Sequence, residues 1–444
     1  MLRAVPPVGP PCPAGSEPGR ASLLASDALP VQYEHITTGQ HLRDFCELVA
    51  PAPVVALDTE FVSEDSYEPD LCLIQLAAAG RLAIVDPLAV DDLSPLWELL
   101  TADGRETLVH AGREEFRFVL RHAGKPPARW FDVQIAAGLV GMEYPASYST
   151  LASKLLGKTI RKDETRTDWR RRPLSPRQLE YALLDVADLE AIRQVLHERL
   201  AALRRLHWLE EELAGWQQAL MQQQSEERWQ RLAGIGGLSA RSLAIVRELA
   251  AWRDAEAQHR NQPPRRILRD DLLIEIAKRQ TADPKRIRAL RGMERGDMQR
   301  HVPRIARCVE RALALKESEL PHLPRRKARP QLSLLGQFLS TALGSICRKA
   351  QVAPALAGTA QDVRDLVAWR LGVGQFDPGE VPLLARGWRA EVVGQVIDQL
   401  LQGELAIRIS DPLHEEPLVF DRLSAPPATG DAQSSATHPE GGPA

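Results

Sequence analysis

Apolar positions along this chain follow two rhythms. Val54-Val55-Ala56-Leu57 is an unbroken apolar run that stops at Asp58-Thr59-Glu60-Phe61, which reads as a buried strand. Leu108-Val109 is a shorter run leading through His110-Ala111-Gly112 into Arg113-Glu114-Glu115-Phe116, a strand passing into a helix with acids in its first turn. From Ser175 onward the helical period takes over. Ser175 suits an N-cap and Pro176 the first helical position, which predicts a helix through Tyr181 to Asp188. Leu243, Val246, Leu249, Ala250 and Trp252 share one face of a helix over residues 238–253, and Pro263-Pro264 break the chain before another helix over 270–280. Further helices are predicted over 332–350, 359–371 and 388–401, with helical patterning to about Ile409. Trp229 and Trp252 sit at core spacings, and Gly234 with Gly236-Gly237 reads as a helix-joining turn, because no strand precedes it and no lysine follows.

Polar residues at the ends of these elements carry the chemistry. Side chains at i and i+2 of a strand leave on one face, so Asp58 and Glu60 project together from a buried strand. Two carboxylates so placed are costly unless a cation lies between them. Tyr181 and Asp185 stand at i and i+4 of the predicted helix and share a face. Strand, helix start and helix thus each offer a carboxylate. A two-metal phosphodiester site needs such a set, with ions about 3.5–4 Å apart, one activating water and one steadying the leaving oxygen.

At these residues the chain resembles the ribonuclease D family of 3′→5′ exoribonucleases, in the tyrosine subgroup of the DEDD superfamily. The resemblance runs from about Tyr33 to Leu200. It is carried by Asp58-Thr59-Glu60-Phe61, Tyr67, Pro69, Leu73-Ile74-Gln75-Leu76, His110-Ala111-Gly112, Phe131-Asp132-Val133-Gln134-Ile135-Ala136, Leu151 to Gly157, Thr167-Asp168-Trp169, and Tyr181 with Asp185. It implies an α/β ribonuclease H-like exonuclease domain, a mixed central sheet flanked by helices. By the same resemblance Asp58, Glu60, Glu115 and Asp185 would hold two divalent ions, Mg²⁺ or Mn²⁺, with Tyr181 orienting the attacking water. Thr59, Phe61 and His110 would lie where the terminal nucleotide sits, and 5′-nucleoside monophosphates would leave from the 3′ end. Trp169 would pack the approach to Tyr181, with Arg170, Arg171 and Arg172 available to phosphates.

The second motif departs from the family pattern, which has aspartate where this chain has Glu115. The extra methylene moves the carboxylate by roughly a bond length, and Mg²⁺ geometry is strict. Three arrangements are open: Glu115 serves directly or through water, Glu114 substitutes for it, or the second ion is weakly held.

Downstream, Leu249-Ala250-Ala251-Trp252-Arg253, Pro263-Pro264, Leu272 to Ala277 and Leu290-Arg291-Gly292 resemble the HRDC domain, a small helical module that assists RNA binding in its family. The region after Pro330 resembles a second, more divergent domain of that kind. The expected organisation is a disordered leader (1–30), the exonuclease domain (31–215), a first HRDC domain (222–318), a basic linker (319–331), a second HRDC-like helical domain (332–412) and a disordered tail (423–444).

Charge sharpens this division. The net charge of −3 conceals a segment, Ser225 to Pro330, with 25 Lys and Arg against 14 Asp and Glu, while the remainder has 31 against 45. A solvated helix face explains scattered arginines but not this excess, which suits a polyanion-gripping arm beside an acidic metal site. The five cysteines, Cys12, Cys46, Cys72, Cys308 and Cys347, have neither pairing nor metal-ligand spacing, which points to a reducing, cytoplasmic setting. No apolar run approaches the roughly 18–20 residues of a membrane span. The expected partner is RNA with a free 3′ end, by resemblance a tRNA precursor, with no obligate protein partner. Two other functions share these features: a catalytically weakened RNA-binding scaffold and a 3′→5′ DNA exonuclease.

Overall fold

Six strands form one mixed sheet in the computed structural model, which describes residues 32–160, 167–225, 228–294, 296–323, 333–373, 376–414 and 416–423. The leader and most of the basic linker and tail lie outside these residues. The strands are β1 (Glu34–Ile36), β2 (Val54–Val62), β3 (Asp70–Ala78), β4 (Arg81–Val85), β5 (Glu106–Val109) and β6 (Arg129–Asp132), in the order β1-β4-β3-β2-β5-β6. β3 alone runs against its neighbours; the pairs β1–β4, β2–β5 and β5–β6 are parallel. The apolar run of β2 is buried on both faces, as its unbroken hydrophobicity requires.

Helices α1 (Gly39–Val49), α2 (Ser94–Leu100), α3 (Arg113–Ala123), α4 (Val133–Leu139), α5 (Tyr148–Leu156), α6 (Pro176–Ala187), α7 (Leu189–Ala202) and α8 (Leu206–Ser225) surround the sheet. α6 lies across β2, β3 and β4, where Ala182 and Leu183 cover Leu73 and Ile84. β5 pairs with β2 only as far as Ala56. Beyond that residue the β5 side of β2 is open, and the first turn of α3 occupies it.

The helical region contains two differently attached parts. Residues 229–320 gather around Leu243, Val246, Leu249, Leu273, Ile276 and Val309, a core of their own. Trp229 is buried in it and Trp252 packs against it, as their spacing predicts. By contrast, Leu343, Val363, Leu366, Trp388 and Ile397 of the last helical region belong to the same hydrophobic core as Leu57, Phe116 and Leu139 of the exonuclease region. Trp388 stacks on Trp208 of α8 at a ring separation of 5.6 Å, and Arg389 forms a two-pronged pair with Glu212. Arg205, almost fully buried, donates to the carbonyls of Leu139, Ala350 and Gln351.

The predicted helical pattern to Ile409 needs correction. The last helix ends at Leu401, and Leu405–Ile409 is a strand (β7) paired antiparallel with Leu418–Arg422 (β8). Leu405-Ala406-Ile407-Arg408-Ile409 is too short to separate the strand period from the helical one, and in the fold it is a half-exposed hairpin strand. The turn at Gly234 to Gly237 is a short 3₁₀ segment in which Gly234 has φ +87°, a conformation that glycine enters without strain.

Candidate active site

Asp58, Glu60 and Asp185 offer carboxylate oxygens that all lie within 4.8 Å of one another. Strand alternation brings the first two to one face of β2, and α6 delivers the third from above. The start of α6 is fixed by a capping box: Ser175 Oγ accepts the Gln178 N–H while Gln178 Oε1 accepts the Ser175 N–H. One turn before Asp185 on that helix, the Tyr181 hydroxyl hydrogen-bonds to the Asp185 side chain. The ring of Tyr181 leans on Trp169, with centroids 6.3 Å apart, in the packing role expected of that tryptophan.

Glu115 stands beside this trio rather than within it. It is buried, and its Oε1 accepts a 2.6 Å hydrogen bond from Thr59 Oγ1. Thr59, expected at the terminal nucleotide, thus spends its hydroxyl on the second-motif glutamate. Glu114 points away and pairs with Arg117 at 2.6 Å. Phe61 is partly buried and meets Phe118 edge-on at 5.7 Å, and His110 Nε2 lies 2.8 Å from the Ala146 carbonyl oxygen.

Asp132 and Tyr148 were not legible as contributors to the site. The Asp132 carboxylate, fully enclosed at the N-cap of α4, accepts the backbone N–H groups of Ala111, Gly112 and Gln134. It thereby locks the turn from β5 into α3 that aims Glu115. The same turn demands glycine at 112, where a Cβ would fall 2.4 Å from Val109 Cγ2 and 2.8 Å from the Trp130 ring. An acid followed two residues later by a helix N–H was the available signal for Asp132. Tyr148 closes the back of the site, edge-on to His110, with its hydroxyl accepting the Asp188 N–H.

The arginines preceding α6 divide. Arg172 is committed to Asp86 through paired hydrogen bonds of 2.5 and 2.7 Å and to the Cys72 carbonyl, so it holds the loop and is not available to phosphate. Arg170 and Arg171 both pair with Asp168, at 3.3 and 3.6 Å, and Arg171 is the well-exposed one. In the loop joining β2 to β3, Asp65 pairs with Arg266, and Asn261 Oδ1 accepts the Tyr67 N–H at 3.2 Å, so residues 261–266 rest on the loop that follows the acid-bearing strand.

Concentrated negative charge dominates the electrostatics. Burial, then the charges of Glu115, Asp185 and Glu60, raise the Asp58 carboxyl well above its usual range. Burial and the neighbouring Asp185 and Glu115 push Glu60 from 4.5 to about 8. Burial lifts Glu115 to about 7 against the opposing pull of the Thr59 hydroxyl. Burial and the three carboxylates around it also raise the Tyr181 phenol above its ordinary value. Three converging carboxylates are the oxygen-donor chemistry that hard divalent cations take.

The sign of the pH dependence follows. Without metal the folded state holds protons on Glu60 and Glu115 that the unfolded chain releases near pH 4.5, so their contribution to stability falls as pH rises from about 4.5 to 8. A bound divalent cation removes this loss. Melting curves in Mg²⁺ and in EDTA are therefore expected to diverge progressively between pH 5.5 and pH 8.5; a constant difference would sink the assignment of these acids to a cation site.

Comparison with known proteins fits this geometry. The 3′–5′ exonuclease domain family matches residues 33–201 and the HRDC domain family matches residues 242–309. Ribonuclease D of Granulibacter bethesdensis is 34% identical over 380 residues, covering 84% of this chain and 94% of the relative. Ribonuclease D of Gluconacetobacter diazotrophicus is 35% identical over 378 residues, with the same coverage. Among solved structures, Escherichia coli RNase D, described as an exoribonuclease involved in structured RNA processing, is similar at a TM-score of 0.71 and 29% identity over 84% of this chain and 99% of that one.

Proposed function

The chain belongs to the ribonuclease D family and is a 3′→5′ exoribonuclease, and from that premise we propose that Asp58, Glu60 and Asp185, with Glu115 behind them, hold two divalent cations at the reacting phosphodiester. The observation that carries this reading is the convergence of three carboxylates within 4.8 Å on the face of one strand. When bound, the cations supply a nucleophilic water at neutral pH and neutralise charge on the leaving 3′ oxygen.

The chain's own groups do the positioning. Tyr181, hydrogen-bonded to Asp185, presents a phenol that orients the attacking water. Glu115 is set by Thr59 Oγ1 on one side and by the Asp132-braced turn on the other. Phe61 and His110 flank the place of the 3′-terminal nucleotide. The exposed Arg171 and the basic 242–309 module would draw the phosphate backbone toward the site. The products are 5′-nucleoside monophosphates.

The natural substrate, in this reading, is structured RNA with a free 3′ extension, such as a tRNA precursor. Support comes from the similarity to the E. coli enzyme and from the separate basic arm. The four described cysteines are unpaired and buried, which suits the cytoplasm. Among the described residues no helix is long and apolar enough to cross a membrane.

The test offers 3′-extended tRNA, unstructured RNA and matched DNA to the protein in Mg²⁺, Mn²⁺ or EDTA. Stepwise shortening of the RNAs from the 3′ end, abolished by EDTA, is expected. DNA shortened as fast as RNA would overturn the choice of sugar, and binding without shortening would favour the scaffold reading. A further variant, Thr59→Val, removes the hydroxyl that fixes Glu115 and should weaken metal affinity by about tenfold, as loss of a group orienting a ligand does. Unchanged affinity would show that Glu115 is placed by its backbone alone.

A further inference from the structure

Gln75 is fully buried, and neither its amide nitrogen nor its amide oxygen has a hydrogen-bond partner among the described residues. Its neighbours are fixed by strand register. On β2 it faces Asp58, and on β4 it faces Ile84. Directly opposed residues of antiparallel strands project from the same face with Cβ atoms about 4.5–5.5 Å apart. Gln75 therefore shares the face that Asp58 presents to α6, where the covering side chains Ala182 and Leu183 are apolar. Of its two cross-strand neighbours, Ile84 offers no polar atom and Asp58 offers a carboxylate.

A buried amide left unpaired destabilises a fold, and an apolar side chain of the same shape would avoid that cost. Packing alone thus argues against glutamine at this position. Ligating carboxylates, for their part, are themselves hydrogen-bonded by neighbouring groups, which set their orientation. The Asp58 carboxylate already accepts the Thr59 backbone N–H. It retains lone pairs for a second donor.

We propose that Gln75 is a positioning residue for the metal site, its Nε2 donating to the Asp58 carboxylate when that carboxylate holds a divalent cation. The inference rests on the reading of Asp58 as a ligand. It assigns β3, which contributes no carboxylate to the cluster, a part in orienting the first one.

The test measures binding of Mn²⁺ by calorimetry to the full chain, stripped of metal and without RNA, beside melting curves in EDTA. Gln75→Met keeps nearly the same volume without polar atoms, and Gln75→Leu does so with different packing. Both are expected to bind Mn²⁺ about 10–100-fold more weakly, with Gln75→Met melting no lower than the parent in EDTA. Mn²⁺ affinity unchanged in both variants would overturn the role of Gln75, and a lowered melting temperature with unchanged affinity would mark it as packing only. A parent that bound no Mn²⁺ would overturn the cation reading itself, and the proposal with it.

Discussion

Replacing Asp58 by asparagine is expected to slow 3′ trimming by at least about 10³-fold while leaving the fold intact, a loss typical of removing a central catalytic group. Asparagine has nearly the shape of aspartate, so β2 and its register with Gln75 should persist. What disappears is one of three negative charges gathered within 4.8 Å. Because burial and the neighbouring acids disfavour Asp58 as a free carboxylate, Asp58→Asn should also melt higher than the parent in EDTA at pH 8. Activity and metal-free stability would thus move in opposite directions from one substitution. Trimming within tenfold of the parent, or a variant that melts lower, would show that Asp58 is not a ligand in a repulsive cluster.

The second large effect is expected far from the acids. Trp388→Ala should destabilise the exonuclease region by about 3–5 kcal/mol, the range for deleting a buried aromatic ring. Trp388 is fully buried, stacks on Trp208, and receives help from the neighbouring Arg389–Glu212 pair. Calorimetry of the parent should resolve the 229–320 module from a larger unit that includes the sheet and the last helical region. Trp388→Ala should lower only the larger transition. If the sheet melted unchanged while a separate C-terminal transition dropped, the shared core would not be a cooperative one.

These two cases also mark what could be read from the chain. The pairing of Asp58 with Glu60 follows from strand alternation, and that of Tyr181 with Asp185 from the helical period, both local rules. The helix start at Ser175-Pro176 was equally legible, down to its capping box. The Thr59–Glu115 hydrogen bond spans 56 positions and depends on β5 ending early, a consequence of tertiary packing. Arg172 reads as a phosphate contact from its neighbours in sequence, whereas in the fold Asp86, 86 positions earlier, holds it. The β7–β8 hairpin was hidden because a short stretch of mixed apolar residues satisfies either period. Two helical regions of similar appearance proved to be joined to the sheet in different ways, because sequence patterns show which residues seek burial but not against what.

The sharing of one core between the sheet and residues 339–397 has a consequence for synthesis. Chains emerge from the ribosome N-terminus first, and domains ordinarily fold as they appear. Here β1 to β6 are made long before the side chains that cover Leu139 and Trp208. The intervening 229–320 module, with a core of its own, can fold while the sheet still waits. A ribosome that stalls before Trp388 would therefore leave the 229–320 module with its whole core, and the acidic site on a sheet that lacks part of its covering.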